Sequence, residues 1–395
     1  MAALFAAREG AETLLLERTH GGGKKILISG GGRCNILPAA LDARRFVTDS
    51  SENSMRKMLR SWPLAEQRRF FEDDMQLPLV EEEGTGKLFP VTQRARDVYE
   101  RLRDAGVQAG VDFRGNTFVE DVHPTRDGWQ LQIAGEAAID CDRVIVATGG
   151  CSIPKTGSDG SGFTFARALG IPLHTLYPAL TPVTSHNPLF TSLAGIAVPV
   201  TLTAVDGARR AEARGNLLFT HRGYSGPALL DVSHVIVRAA EEQRQDARLL
   251  VRWTEETEEQ WRTRLQASSS GSVLSLLRRI VPERLAVALC AAADVPSDRT
   301  LHQLRREERR RLLDVIFRCP LPWNGHEGYR KAEVTGGGVP LSEVRPATME
   351  SRAHPGLHFC GEVLDVFGPI GGYNFSWAWA TARTAGMAAA RRSVA

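Results

Sequence analysis

The sequence predicts an α/β fold in which the two ends of the chain build one domain around a large insert. Three observations predict it. A short helix and a strand ending in Glu17 open the chain, and the strand Val144–Val146 runs into Ala-Thr-Gly-Gly. Later, Gly371 and Gly372 open a long alanine-rich helix. Strands that end in an acid or in glycines beside helix starts are typical of parallel α/β sheets that bind ligands.

Composition and charge exclude several classes of protein. The chain has 395 residues, 43% apolar and 24% charged, as in ordinary globular proteins. At roughly 100 to 200 residues per domain, this length predicts two or three domains. A net charge of +3 gives no global field that would require nucleic acid or acidic lipid. No stretch reaches the roughly 18 apolar residues of a membrane span, and the N-terminus is not a signal peptide. Scattered cysteines predict a reduced, cytoplasmic compartment and no metal site.

The N-terminal helix and strand match the second half of a dinucleotide-binding βαβ unit. Met1 to Arg8 predict the helix, Gly10 its end, and Thr13 to Leu16 the strand that leads to Glu17. In such a unit the acid binds the adenosine ribose, and a G-x-G-x-x-G turn before the helix binds the phosphates. Because no such turn precedes Met1, we expect a start assigned about fifteen residues too late, or a shortened gene, and favour the first.

Two glycine-rich loops follow Glu17. The first is Gly21-Gly22-Gly23-Lys24-Lys25, and the second is Gly30-Gly31-Gly32-Arg33-Cys34-Asn35. Glycines beside Lys and Arg let backbone N–H groups and cations approach a phosphate closely. A flexible surface loop is the alternative for each run, but the adjoining cations favour phosphate binding.

The middle of the chain is predicted to be an insert of two parts. The predicted domains are residues 1–182 with 326–395, a β-barrel at 183–254 and a helical part at 255–325. The run Arg305–Arg311 lies between leucines, so it predicts the solvent face of an amphipathic helix rather than a nucleic-acid stripe.

Five motifs, in order along the whole chain, resemble the HI0933-like, BaiN-type family of FAD-dependent oxidoreductases. They are G-K-K-I-L-I-S-G-G-G-R-C-N (Gly23–Asn35), A-T-G-G-C-S-I-P-K-T-G-S-D-G-S-G (Ala147–Gly162), G-N-L-L-F-T-H-R-G-Y-S-G-P-A (Gly215–Ala228), V-T-G-G-G-V (Val334–Val339) and G-E-V-L-D-V-F-G-P-I-G-G-Y-N-F-S-W-A-W-A (Gly361–Ala380). The resemblance implies a discontinuous, Rossmann-like FAD domain of the two-dinucleotide-binding type, with an inserted β-barrel and small helical domain.

The resemblance also implies which residues hold FAD. Glu17 is expected at the adenosine ribose, Val119 at the adenine through its backbone, and Gly361 with Glu362 at the ribitol and pyrophosphate. The remaining expected cofactor residues are Lys25, Arg33, Cys34, Thr148, Gly149, Gly150, Asp365, Gly371, Gly372, Tyr373 and Asn374. The free N–H groups at the Gly371 helix start would stabilise negative charge on reduced flavin.

Three functions remain open at this point. The first is hydride transfer through FAD between a nicotinamide cofactor, NAD(P)H, and a small organic substrate or oxygen, with no recognisable catalytic residue because the flavin does the chemistry. The second is a catalytically silent remnant that acts as a binding or structural protein. The third is a tRNA-modifying flavoprotein that docks RNA on Arg305–Arg311, which the small net charge disfavours. Tyr373 could donate a proton, but packing is the favoured role; Cys34 and Cys360 are expected to fill tight space.

Overall fold

The computed structural model describes residues 1–244, 246–266 and 271–391. The chain divides into two compact units. Unit 1 comprises Met1–Leu176 and the chain from Val334 onward, and unit 2 comprises Tyr177–Glu333. This arrangement has the predicted discontinuity, because the two ends of the chain build unit 1 around the segment that builds unit 2.

Unit 1 contains most of the predicted helices and parallel strands. Its helices are α1 (Ala2–Arg8), α2 (Lys24–Ile28), α3 (Glu52–Arg60), α4 (Leu64–Arg69), α5 (Ala95–Gln108) and α6 (Ser161–Ala168). Its strands before the insert are β1 (Leu14–Leu16), β2 (Leu37–Pro38), β3 (Leu79–Glu82), β4 (Lys87–Pro90), β5 (Asp112–Arg114), β6 (Val119–Pro124), β7 (Trp129–Ile133), β8 (Ile139–Cys141), β9 (Val144–Val146) and β10 (His174–Ala179), the last of which runs into unit 2.

Unit 2 is a large antiparallel sheet with helices. Its strands are β11 (Val183–Thr184), β12 (Ala197–Asp206), β13 (Arg209–Thr220), β14 (Gly223–Ser225), β15 (Arg248–Arg252), β16 (Cys319–Pro320) and β17 (Gly325–His326). They form one seven-stranded sheet in the order β16-β15-β12-β13-β14-β11-β17. Its helices are α7 (Pro188–Thr191), α8 (Pro227–Glu241), α9 (Glu258–Arg264), α10 (Val273–Leu277), α11 (Glu283–Ala292) and α12 (Arg306–Arg318).

The chain then returns to unit 1 with β18 (Val334–Gly338), β19 (Leu357–Phe359) and α13 (Tyr373–Ala390). The parallel strands of unit 1 form two pairs, β1 with β5 and β9 with β19. The latter pairing joins a strand before the insert to one after it. Helix α13 is largely buried because it crosses the core of unit 1, where Gly386 packs against the backbone of α1.

Two sequence predictions need correction. The predicted β-rich stretch from Val183 to Trp253 contains the 15-residue helix α8, which begins with Pro227 at its first turn and buries an apolar face. The alternating pattern from Val107 to Ile139 also predicts short strands, but Val107 belongs to the last turn of α5 and the first strand of this stretch is Asp112–Arg114. The Arg305–Arg311 prediction is confirmed, since α12 buries Leu312 and leaves Arg306 and Arg310 exposed, while Arg309 and Arg311 are half-buried.

No helix in the described part of the chain is long and apolar enough to cross a membrane. Four of the six cysteines are buried, namely Cys34, Cys290, Cys319 and Cys360, and all six have free thiols. The predicted packing role of Cys34 and Cys360 agrees with their burial, which raises the pKa of each thiol to about 12.

A buried histidine predicts how stability responds to pH. His358 is 1% exposed on β19, its Nδ1 lies 2.9 Å from the Thr348 carbonyl oxygen, and burial lowers its pKa. The folded state therefore keeps this ring neutral, whereas the unfolded state binds a proton below about pH 6.5. We expect the free energy of unfolding to fall as the pH drops below that value, by at most about 1.4 kcal/mol per pH unit from this group.

Urea unfolding between pH 7.5 and 5 checks this expectation. The variant His358→Gln should lose part of the pH dependence, while His302→Gln, at an exposed position, should keep all of it. Equal slopes for His358→Gln and the wild type would show that folding does not lower the pKa of this ring.

Candidate cofactor site

The first part of the site lies where β1 ends. Oε1 of Glu17 accepts hydrogen bonds from the Thr19 amide at 2.8 Å and the Thr19 hydroxyl at 2.6 Å. Its other oxygen, Oε2, accepts none from the described residues, so it can serve a ribose hydroxyl. The Thr117 amide donates to the Glu17 carbonyl oxygen at 3.0 Å, which brings the chain leading to Val119 beside this acid. Val119 is half-buried at the start of β6.

The centre of the site is a cluster of three side chains and one backbone amide from four sequence segments. The Lys25 ammonium lies 2.8 Å from Glu362 Oε2 and donates to the Ser152 hydroxyl at 2.6 Å. The Ser152 hydroxyl in turn donates to Glu362 Oε1 at 2.9 Å, and the Thr335 amide donates to the same oxygen at 2.9 Å. The lysine and glutamate side chains are 27% and 16% exposed, so this ion pair is partly shielded from water. It brings a cation and an anion together beside the glycine-rich segments.

Glycines are required beside this cluster because side chains from elsewhere fill the space. A Cβ on Gly150 would overlap the Thr335 hydroxyl and lie 2.6 Å from Glu362 Oε1. Gly149 has φ +74°, and a Cβ there would lie 2.8 Å from the Ser158 hydroxyl oxygen. The neighbouring Thr148 hydroxyl is buried without a hydrogen-bond partner among the described residues, and it packs against Gly162 of α6, where an added Cβ would overlap its oxygen.

The second glycine-rich loop reaches the start of α13. Arg33 lies with its guanidinium 4.3 Å from the centre of the Phe89 ring and 2.8 Å from Glu82. Cys34 is fully buried with φ +61°, which turns the chain toward Asn35. The Asn35 side-chain oxygen, in the orientation that satisfies both ends of the amide, accepts from the Gly372 amide at 3.1 Å. The structure therefore brings Asn35 to the predicted flavin end, while Arg33 is held by β3 and β4.

Helix α13 begins in a tight space that only glycine fits. Gly372 has φ +89°, and a Cβ there would lie 2.7 Å from the Leu37 carbonyl oxygen. Gly371 has φ +106°, and a Cβ there would meet its nearest atom at 3.7 Å. Tyr373 is buried, and its hydroxyl donates to the Ala40 carbonyl oxygen at 3.2 Å. The Asn374 amide closes the loop before the helix by bonding both the N–H and the carbonyl of Gly368.

Gly361 and Asp365 lie on either side of Glu362 but have different surroundings. The Gly361 amide donates to the Thr381 hydroxyl at 2.9 Å, and its φ of +77° suits glycine. Asp365 is 2% exposed, and its Oδ2 accepts hydrogen bonds from Ser50 and His174 at 2.8 and 2.7 Å. Its carboxylate is thus already bonded within the protein.

Two features of these residues fit FAD. Oε2 of Glu17 accepts no hydrogen bond from the described residues, and Gly371 and Gly372 begin an 18-residue helix, where a Cβ on Gly371 would meet side-chain atoms only at 3.7 Å or more. A helix N-terminus and a lysine ammonium both favour a negatively charged ligand. These properties suit Glu17, Lys25 and the helix start at Gly371 and Gly372 to an anionic cofactor such as FAD.

The model of the HI0933-like protein Rossmann domain matches residues 1–388 of the chain. The chain belongs to this family. The resemblance based on the five motifs is confirmed, and the protein is an enzyme of the FAD-dependent oxidoreductase class with a Rossmann-like FAD-binding fold.

Two relatives of this HI0933-like protein match over nearly their whole length. The ribosomal RNA dihydrouridine synthase of Escherichia coli (strain K12) is 33% identical over 388 residues, which cover 96% of this chain and 92% of that protein. The 3-dehydro-bile acid delta(4,6)-reductase of Clostridium scindens is 31% identical over 400 residues, which cover 99% of this chain and 96% of that protein. A solved structure of quinol-fumarate reductase with menaquinol molecules superposes with a TM-score of 0.50 at 14% identity, over 98% of this chain and 68% of that chain, and supports the fold alone.

The sequence analysis missed four residues that the structure brings into or beside the site. Ser152 and Thr335 lie within two of the quoted motifs, but their contacts with Glu362 span 210 and 27 residues of sequence. Asn35 ends the second glycine-rich loop, and His174 lies on β10. Motif position could have indicated the first three, whereas nothing in the local sequence marks His174.

Proposed function

We propose that this protein uses FAD to reduce a carbon–carbon double bond conjugated to a carbonyl group, and that a uridine of ribosomal RNA is its substrate. One observation carries the proposal. Both relatives match over more than nine-tenths of their lengths, and their names describe this one kind of reaction. The C5–C6 double bond of uracil is conjugated to its C4 carbonyl, as the double bonds of a 3-oxo-4,6-diene are to its ketone. A second ribosomal RNA dihydrouridine synthase, from Haemophilus influenzae, is 31% identical over 384 residues and favours the RNA substrate.

The residues of the chain would bind and orient the cofactor. Lys25 would place its ammonium against the pyrophosphate, while Glu17 would accept a hydrogen bond from the adenosine ribose. The N-terminus of α13 would stabilise negative charge on the pyrimidine edge of the flavin. When bound, FAD supplies hydride chemistry, and we propose NAD(P)H as the reductant.

The arginines of α12 do not favour the RNA-docking surface considered from the sequence. Arg309 donates to the Leu304 carbonyl oxygen at 2.8 Å, and Arg311 donates to the carbonyl oxygens of Ala293 and Asp294 at 2.7 and 2.9 Å. Arg310 pairs with Glu307 of the same helix. These three guanidinium groups are engaged within unit 2, whereas Arg306 is exposed, so the run offers RNA fewer unengaged cations than its sequence implies.

A small conjugated ketone is the second candidate substrate. The match to the bile-acid reductase covers 99% of this chain, which is a larger share than the match to either synthase covers. A 3-oxo-4,6-diene steroid and a uridine differ greatly in size and charge. They therefore separate the two candidates in one pair of experiments.

The test of the RNA substrate is made in an Escherichia coli strain that lacks its own ribosomal RNA dihydrouridine synthase. We expect expression of this chain to restore dihydrouridine in hydrolysed ribosomal RNA, measured by mass spectrometry, and the empty vector to restore none. The purified protein is tested in parallel with FAD, NADPH and a 3-oxo-4,6-diene steroid, by loss of the dienone absorbance. Restoration of dihydrouridine without steroid reduction supports ribosomal RNA as the substrate, and steroid reduction alone supports the second candidate. If the protein shows neither activity, the proposal is wrong.

A further inference from the structure

A histidine and a buried aspartate form a pair in unit 1 outside the Lys25–Glu362 cluster. Nδ1 of His174, on β10, lies 2.7 Å from Oδ2 of Asp365. The aspartate is 2% exposed as a side chain, whereas the histidine side chain is 33% exposed. A buried carboxylate therefore contacts one side of an imidazole whose other side reaches the surface.

The donors around Asp365 fix the role of each ring nitrogen. The Asp49 amide and the Ser50 hydroxyl donate to Oδ2 at 3.0 and 2.8 Å. The Ser50 hydroxyl oxygen itself accepts from the Leu341 amide, so its proton is free to point at the carboxylate. A carboxylate oxygen bonded in this way is an acceptor, so Nδ1 of His174 carries the proton between them. Nε2 is then the nitrogen that can take up and release a proton.

Nε2 has no hydrogen-bond partner among the described residues, and His174 lines an open cavity. This cavity has a volume of about 550 Å³ and is lined by Arg167, Gly170 and the segment from Ile171 to Leu176. All of these residues belong to unit 1. The side chains that line the cavity include one cation, one imidazole and one hydroxyl, from Arg167, His174 and Thr175, and the rest are apolar.

The loop that holds Asp365 also contacts the start of α13. The Phe46 ring lies 5.5 Å from the Tyr373 ring, and Val47 pairs with Phe367. The next residues, Thr48 to Ser50, are those that bond Asp365. One short loop therefore connects the proposed flavin end of the cofactor site with the histidine–aspartate pair.

We infer that His174 is the catalytic acid that protonates the substrate, and that Asp365 is the residue that positions it. This inference rests on the proposed function. Reduction of a conjugated double bond adds a hydride from the reduced cofactor to the β-carbon and leaves an enolate, which needs one proton at the α-carbon. The Nε2–H bond of the imidazolium breaks as the α-carbon–hydrogen bond forms, and solvent then returns a proton to Nε2.

Three charged groups lie near the ring. Asp365 and Asp49 are the carboxylates, and one ligand atom of each lies within 4.8 Å of the imidazole nitrogen and of the other. Arg167 of α6 lines the same cavity. Because Oδ2 of Asp365 already accepts bonds from an amide N–H and two hydroxyls, we assign this arrangement to proton transfer rather than to a bound cation.

The first test concerns the ring itself and needs no substrate. The full chain is loaded with FAD and labelled with ¹⁵N in its histidines, and the His174 signals are identified by their loss in His174→Gln. We expect the neutral ring to carry its proton on Nδ1, and Asp365→Asn to shift the ring toward the other tautomer. If Asp365→Asn does not fold, Ser50→Ala, which removes one donor to the same oxygen, is the second variant. A proton on Nε2 in the wild type would overturn the inference.

The second test follows the two half-reactions by stopped flow, with the 3-oxo-4,6-diene steroid and ribosomal RNA lacking dihydrouridine as probes. We expect His174→Gln to slow oxidation of the reduced flavin by the active probe about 100-fold and to leave its reduction by NADPH unchanged. The exposed pair His123 and Asp121 gives the matched control, because His123→Gln removes a histidine 3.3 Å from a carboxylate at the surface. It should leave both rates unchanged.

Turnover in D₂O gives a third readout. The wild type should place deuterium on one face of the α-carbon, and His174→Gln should scramble it or deliver it slowly. Wild-type rates and stereochemistry in His174→Gln would overturn the role of His174 while the proposed function stands. If neither probe oxidises the reduced wild-type flavin, the proposed function is wrong and the assigned acid falls with it, whatever tautomer the ring shows.

Discussion

Replacing Gly150 by alanine is expected to lower the free energy of unfolding by about 2 to 3 kcal/mol and to weaken FAD binding. The added Cβ would overlap the Thr335 hydroxyl and lie 2.6 Å from Glu362 Oε1. Both atoms belong to the cluster that holds Lys25, so relief of the overlap moves the ion pair. Chemical denaturation and titration with FAD measure the two effects.

Gly106→Ala is the control for added bulk at a glycine that, like Gly150, has no positive φ but has room for a Cβ. Gly106 lies inside α5, and a Cβ there would be 3.9 Å from its nearest neighbour, Val111. In a helix interior this change should stabilise the protein by up to about 1 kcal/mol. A wild-type unfolding midpoint for Gly150→Ala would mean that the Thr335 side chain moves away at no cost.

Replacing Lys25 by glutamine is expected to weaken FAD binding by about tenfold to 100-fold, which corresponds to about 1.5 to 3 kcal/mol for a hydrogen bond to a charged group. The ammonium is the cation of the central cluster, and the Lys25 side chain is 27% exposed. Glutamine keeps much of the length of the side chain and a donor, but removes the charge that would face the pyrophosphate. Quenching of flavin fluorescence on binding measures the dissociation constant.

Lys24→Gln provides the comparison at the neighbouring position. Lys24 is exposed and forms no hydrogen bond or ion pair with the described residues, so its loss removes the same charge from the same loop. It should change FAD affinity less than threefold at about 0.15 M salt, since exposed charges are screened over about 8 Å. Equal losses for the two variants would show that the lysines act only through the overall field.

The parts of the fold that follow from local sequence were predictable. Glycine pairs, an acid at a strand end and an alanine-rich helix predicted β1, β9 and α13 because each pattern depends on neighbouring residues. The long helix α8 was missed within a β-rich stretch. The helix lies between strands, and short apolar runs in the sequence do not distinguish a buried helix from a buried strand.

The site was predictable only in its motifs. The family resemblance implied cofactor roles for Lys25 and Glu362, but their mutual contact joins positions 337 residues apart. The His174–Asp365 bond spans 191 residues and follows no local rule. Gly150 was expected to lie along the cofactor. The structure shows a further reason for a glycine at this position, because the Thr335 side chain fills the space that a Cβ would occupy. These features depend on tertiary packing, which a single sequence does not display.

The contacts of β10 and β18 set limits on recombining this protein with its relatives. His174 on β10 is hydrogen-bonded to Asp365, and Thr335 on β18 is hydrogen-bonded to Glu362. Each strand that links the two units is therefore bonded to one acid of the segment 362–365. A graft that exchanges only residues 177–333 leaves both hydrogen bonds with their native partners. Crossover points at 170 or 340 would separate them, so hybrid enzymes with new substrate ranges should be cut just inside these two residues.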